Sequence, residues 1–219
     1  MTRYRIEYSK TKSLQYTSNL DMQKIWERTL RRSKIPIQYS QGFHPQPKIQ
    51  LAAPLPLGMT GCAELVDIWT QSDYSPDCVK ENIVPVLHTG ILIHAVETIP
   101  DHEAALQSRL ISATYRISID ELDLLTVTEK VSALLSQEHI YRNRRGKSYD
   151  LRPLIEEIQL SASISGNGID LQVRLSARPG ATGRPEELLE SLGIDRYAAR
   201  IERLKIFFTS PEKAEAAVQ

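Results

Sequence analysis

The chain carries no net charge: Lys and Arg number 27, and so do Asp and Glu, among 219 residues. A uniformly basic shell that grips nucleic acid indiscriminately is thereby excluded, and any basic surface must come from uneven placement. Cysteine is nearly absent. Cys62 and Cys78 are the two present, and they make neither a CxxC nor a CxxxCxxC spacing. No zinc site and no iron–sulfur cluster of the chain's own is expected, and both thiols read as small hydrophobes. His88, His94, His102 and His139 also lack ligand-like spacing. The sequence has no run of the roughly 20 apolar residues that a membrane helix needs, and its start, MTRYRIEYSK, has no signal-peptide core. The expected location is cytoplasmic, with no membrane partner. A nucleotide-binding P-loop is missing as well: Arg178-Pro-Gly-Ala-Thr-Gly-Arg184 precedes a helix start without the GxxxxGK[ST] pattern.

What is present is enough apolar residue, 41%, for an ordinary packed core, in a length that suits one large domain or two small ones. Tyr4, Ile6 and Tyr8 alternate with Arg3, Arg5 and Glu7, which reads as a strand with one buried face. Ser18 with Asp21 three residues on resembles a capping box, and Met22, Ile25, Trp26, Thr29 and Leu30 follow at helical spacing. This predicts a helix over 18–33, stopped by Pro36. Short extended pieces over 35–39 and 48–53, a strand over 63–70, a helix from Ser75 and a strand over 91–98 complete the first half. The charged stretch 100–107 breaks the pattern. A strand over 110–119, a helix over 126–136, an extended piece over 139–142, a hairpin over 155–163 and 169–177 through Gly166-Asn-Gly168, a helix over 185–192 ending at Gly193, and a strand over 203–208 follow. Two successive βαββαβ orders predict an α+β protein of two tandem ferredoxin-like units, at 1–100 and 108–209, with a frayed tail over 210–219.

Three stretches could carry binding or chemistry. On the first helix Asp21, Lys24, Arg28 and Arg31 fall at i, i+3, i+7 and i+10, with Arg32 beside Arg28 and Lys34 just beyond. This basic helix end is either a solvated face favoured by the macrodipole or an anion site. The second stretch, Ser40-Gln-Gly-Phe-His-Pro-Gln-Pro-Lys48, is turn-rich: Gly42 gives the backbone freedom, and Pro45 and Pro47 stiffen it. Phe43 beside His44, with Lys48 near, suits an unstacked base and its phosphate, or else Phe43 tucks into the core of a rigid loop. The third is the basic cluster Arg142, Arg144, Arg145 and Lys147, followed by Asp150 and Arg152 and flanked by Tyr141 and Tyr149. Arginines among aromatics suit phosphate and base, while a solvated loop, braced by Asp150 and Arg152, explains them equally. Asp21 and His44 are weak candidates for acid–base work, since no neighbour in sequence orients His44. No metal ligand set is expected.

These residues carry a resemblance. Tyr4-Arg-Ile-Glu-Tyr-Ser-Lys10, Ser18-Asn-Leu-Asp21, Glu27-Arg-Thr-Leu-Arg-Arg32, Tyr39-Ser-Gln-Gly-Phe43, Pro45, Pro47 and Pro54-Leu-Pro-Leu-Gly58 are similar to the radical-SAM-linked proteins, the bacterial DUF2344 domain. Tyr149-Asp-Leu-Arg-Pro153 and Gly183-Arg-Pro-Glu-Glu-Leu-Leu189 are similar too. Asp21, Arg28, Arg31, Arg32, Gly42 and Phe43 match the family pattern. Asn19 stands where the family has His, and Gly42-Phe-His-Pro-Gln-Pro47 stands for Gly-Phe-Asn-Pro-His-Pro, so no imidazole keeps a fixed place. The resemblance implies a radical-SAM enzyme with a B12-binding-type region as partner. That partner would carry the SAM, the iron–sulfur cluster and any cobalamin, with no cofactor in this chain. The expectation is an accessory RNA-binding subunit serving tRNA or rRNA modification or processing. The alternatives are an RNA-acting enzyme in its own right, a nuclease or modifying enzyme, or a protein-only docking subunit.

Overall fold

The computed structural model describes residues 1–120, 122–163 and 168–210. The expected tight turn at Gly166-Asn167 and most of the expected frayed tail lie outside them. The chain is mixed α+β with five α-helices among the described residues, and it divides into two compact units, Met1–Arg109 with Thr209, and Leu110–Phe208. The stretch 100–107 belongs to the first.

The first unit runs β1 (Thr2–Lys10), α1 (Asn19–Arg32), β2 (Ile49–Leu51), β3 (Met59–Thr70), α2 (Pro76–Ile83), β4 (Ile91–Ile99) and the single turn α3 (Leu106–Arg109). Within it β1 lies between β4 and β3, and β2 adds to β3, every pairing antiparallel. Tyr4, Ile6 and Tyr8 turn to the core as the alternation requires, where they meet Met22, Trp26 and Leu30 of α1 and Val79 and Ile83 of α2. The Trp26 ring stands edge-on to Tyr8 at 5.0 Å between centroids. Burying each such side chain stabilises by roughly 1.5–3 kcal/mol. The helix starts are built by their caps. The Ser18 hydroxyl accepts from the Asp21 N–H of α1, and the Ser75 hydroxyl does the same for Cys78, with Pro76 pre-set at the first helical position.

The opposite face of β1 departs from the sequence expectation of a single buried face. Arg3 is 3% exposed and its cross-sheet neighbour Asp67 is 0% exposed. Asp67 accepts from Arg3 Nε at 2.9 Å and from Arg5 Nε at 2.9 Å and Nη2 at 3.1 Å. Arg5 Nη1 also reaches Glu103 Oε1 at 2.9 Å, Arg109 pairs with the same carboxylate, and Arg3 Nη1 donates to the Glu103 carbonyl at 2.6 Å. The chain crossing this face through 101–109 covers it. Alternation alone does not distinguish a solvated arginine from one folded into such a lattice.

The second unit runs β5 (Leu110–Ile119), α4 (Leu124–Leu135), β6 (Tyr141–Arg144), β7 (Lys147–Asp150), β8 (Ile155–Ala162), β9 (Ile169–Arg178), β10 (Ala181–Thr182), α5 (Pro185–Ser191) and β11 (Ala199–Phe208). Here β5 lies between β11 and β9, and β8 and β10 both pair with β9, again antiparallel. Asp123 caps α4, whose Val127, Val131 and Leu134 are buried, and Gly193 at φ 65° ends α5. The expected basic loop over 142–147 is instead a hairpin, β6 paired with β7, turning at Arg145 and Gly146, both at positive φ.

Candidate functional site

Helix α1 is the centre of the site. Its buried stripe of Met22, Trp26, Thr29 and Leu30 fixes its rotation, so Lys24, Arg28, Arg31 and Arg32 are all exposed. Arg28, Arg31 and Arg32 then line one hollow of about 370 Å³ with Ile25 and His88, and no carboxylate lines it. Arg32 is steadied by donating from Nη2 to the Val86 carbonyl at 2.9 Å. His88 Nδ1 accepts the Gly90 N–H at 3.0 Å, which leaves its Nε2 as the outward donor. The sequence gives His88 no ligand-like spacing. The α2–β4 connection brings it to the arginines. The site sits at a helix C-terminus, whose partial negative charge favours the cations without neutralising them. Lys34, just past the helix, holds φ at 62°, a region a lysine rarely adopts.

Arg31 also lines a second hollow, about 200 Å³, with Glu27, Tyr39, Pro47 and Gln71. Pro47 in turn lines a third and larger one, about 540 Å³, beside the start of α1. The first two hollows flank the same stretch of α1 on different sides and share Arg31, and the third lies toward the start of the helix, at Asn19 and Gln23.

The loop 40–47 closes on itself. Ser40 N–H donates to the Gln46 carbonyl at 2.8 Å, Gln46 N–H donates to the Ser40 hydroxyl at 3.0 Å, and Tyr39 bridges Pro47. Gly42 sits at φ 134°. Phe43 does not tuck into the core: its ring is 102% exposed. His44 and Pro45 are exposed beside it. Lys48 is half-buried, its ammonium 4.8 Å from the Trp69 ring centre. Asp21 is spent on the helix start, accepting the Ser18 hydroxyl at 2.7 Å and lying 4.0 Å from Lys24 Nζ.

The second basic cluster is in the other unit and is largely matched by acid. Arg142 pairs with Glu190, and Arg144 pairs with Glu187, donating at 2.8 Å from Nε and from Nη2 to the Thr182 carbonyl at 3.0 Å. Burial pushes the Tyr149 phenol up to about 12, helped by the Glu187 carboxylate that it also bonds. Burial works against the charged Glu187, but its bonds to Arg144 and Tyr149 outweigh this and hold it below the ordinary glutamate range. Asp150 braces the hairpin. It bonds His139 Nδ1 at 2.8 Å and accepts the N–H groups of Ile140 at 2.8 Å and Arg152 at 3.0 Å, and these bonds, led by that to His139, lower its pKa. Arg145 and Lys147 at the tip are exposed, and Arg152 is half-buried. Glu187 and Glu190 lie a helical turn apart on α5, but nothing near them in the sequence marks Arg142 and Arg144 as their partners. Among the described residues no group of three His, Cys, Asp or Glu side chains is placed to hold a metal ion. No helix is long and apolar enough to cross a membrane.

The sequence model of a bacterial family, described as an uncharacterized protein conserved in bacteria (DUF2344), matches residues 3–185. The chain belongs to this family. The match takes in α1, the 40–47 loop and the β6–β7 hairpin, and ends at the first residue of α5. No curated protein matches the chain. A solved structure described as a putative dyp-type peroxidase protein from Shewanella oneidensis is 10% identical, covering 99% of this chain and 94% of that one, with a TM-score of 0.25, a likeness too slight to carry an argument.

Proposed function

We propose that this DUF2344 protein binds unpaired RNA along the outer face of α1, as an accessory subunit rather than an enzyme on its own. One observation carries the reading: Arg28, Arg31, Arg32 and His88 converge on a hollow with no carboxylate in its lining. Guanidinium groups offer paired donors that match phosphate oxygens, and a desolvating concavity strengthens them. The exposed Phe43 ring supplies a stacking surface on the same unit. The acid-matched Arg142 and Arg144 are given a structural role, which leaves Arg145 and Lys147 as secondary contacts.

Both units fit the ferredoxin-like order, the first strand of each lying between its last and its third. We infer on that ground that they are tandem copies of one architecture, the second with the β6–β7 hairpin inserted. The radical-SAM partner and the tRNA or rRNA context are carried by the resemblance to the radical-SAM-linked proteins. Co-purification with a radical-SAM enzyme after nuclease treatment tests that part separately.

The test of binding is fluorescence anisotropy with short labelled oligoribonucleotides at low salt. The double charge reversal R28E/R31E should weaken binding at least about tenfold, since each lost charged contact costs about 1.5–3 kcal/mol, with an unchanged melting temperature. Equal affinity of variant and wild type would remove the α1 face from consideration.

A further inference from the structure

The large hollow at the start of α1 differs in chemistry from the arginine hollow at its end. Its polar lining is mostly carboxamide: Asn19, Gln23, Gln46, Gln50 and Gln107, with Lys48 the one charged side chain. Gln107 is fixed by donating from Nε2 to the Leu51 carbonyl at 2.8 Å, and its Oε1 accepts from Gln50 Nε2 at 3.2 Å. The side-chain amides of Gln23 and Gln46 make no hydrogen bond among the described residues. Asn19 Oδ1 is buried and has no donor among the described residues. A ligand donor that reaches it after a small rotation of the carboxamide would satisfy it.

Neutral amides that offer donor and acceptor side by side do not select phosphate. They match the edge of a nucleobase, which presents the same alternation. The volume of about 540 Å³ admits one base with its ribose. Pro47 links this hollow to the next, and Arg31 links that one to the arginine site, so a strand with phosphates at the helix end can lay a base here.

Resting on the RNA reading above, we infer that the carboxamide groove is a base-reading subsite for one unpaired nucleotide. It takes a base edge that offers a donor to the orphan Asn19 oxygen, an exocyclic amine or a ring N–H. Lys48 supplies the adjacent phosphate contact.

Two arms on the full chain separate this subsite from the phosphate contacts. In the first, anisotropy compares short oligomers of rA, rC and rU with an abasic ribose-phosphate oligomer. The rA or rC oligomer should bind at least about fivefold more tightly than the abasic one, one specific base contact being worth about 1–3 kcal/mol. The Q23L/Q46L variant should abolish that ratio while keeping abasic binding. Equal binding of abasic and base-bearing oligomers, or a ratio that survives Q23L/Q46L, overturns the subsite and leaves the arginine site standing. In the second arm, adenosine and cytidine, which carry no phosphate, are titrated while the side-chain NH₂ resonances of Asn19, Gln23 and Gln46 are followed by NMR. Selective shifts of those resonances support the subsite even if no oligomer binds, which would sink the phosphate reading alone. No shift at millimolar nucleoside overturns the subsite.

Discussion

At the residue scale, Phe43 is the plainest departure from ordinary folding economy. A benzyl side chain wholly in water, on a loop closed by its own hydrogen bonds, gains nothing from burial. Base stacking on an aromatic ring is worth about 1–3 kcal/mol. Phe43→Ala should therefore leave the melting curve in place while lowering RNA affinity by about fivefold or more, as read by anisotropy, and an unchanged affinity would return the ring to a passive role. Lys34 offers a complementary case. Its φ of 62° strains a side chain that glycine would not carry, at roughly 1–2 kcal/mol. Lys34→Gly should raise the denaturation midpoint and weaken RNA binding together, since it relieves the backbone and removes a cation. The sequence identified Phe43 and Lys34 as candidates, but neither exposure nor backbone angle can be read from residue type.

At the scale of elements, the caps, buried stripes and strand alternation of α1, α2 and β1 were legible because each follows from local spacing, whereas a bulge breaks the alternation expected over 91–98. Long-range charge pairing was not. Arg3 and Asp67 are separated by the whole of α1 and β2, and only the β1–β3 register brings them together. Asp67→Ala would leave Arg3 buried without its anion, so a loss of about 3–5 kcal/mol in urea unfolding is expected; a loss below about 1 kcal/mol would show the arginines solvating elsewhere. The hairpin β6–β7 escapes sequence reasoning for the same reason, its order coming from Glu187 and Glu190 on a distant helix. Tyr149 gives that pairing a pH signature. Its folded pKa of about 12 exceeds the ordinary phenol value of 10.0. The corresponding stabilisation is complete below pH ~10 and fades as pH rises through the folded value. In Glu187→Gln the phenol should titrate closer to 10, measured by ultraviolet difference absorbance, because one of the two causes of the shift is gone while burial stays.

At the scale of the whole molecule, zero net charge with a concentrated arginine hollow favours short-range grip over long-range attraction. Three phosphate contacts on a single strand give a slope of about −2 for log K against log salt. A much steeper slope would mean that the exposed tip of β6–β7 joins the contact, and a flat one that no phosphate is held. Thr209 N–H donates to the Arg109 carbonyl at 2.8 Å, and the Arg109 guanidinium holds the Thr209 carbonyl at 2.9 and 3.1 Å. The residues that lead into the second unit and out of it are thus fastened to each other. Insertions or losses between Leu110 and Phe208 that spare this fastening can leave its two ends where they are.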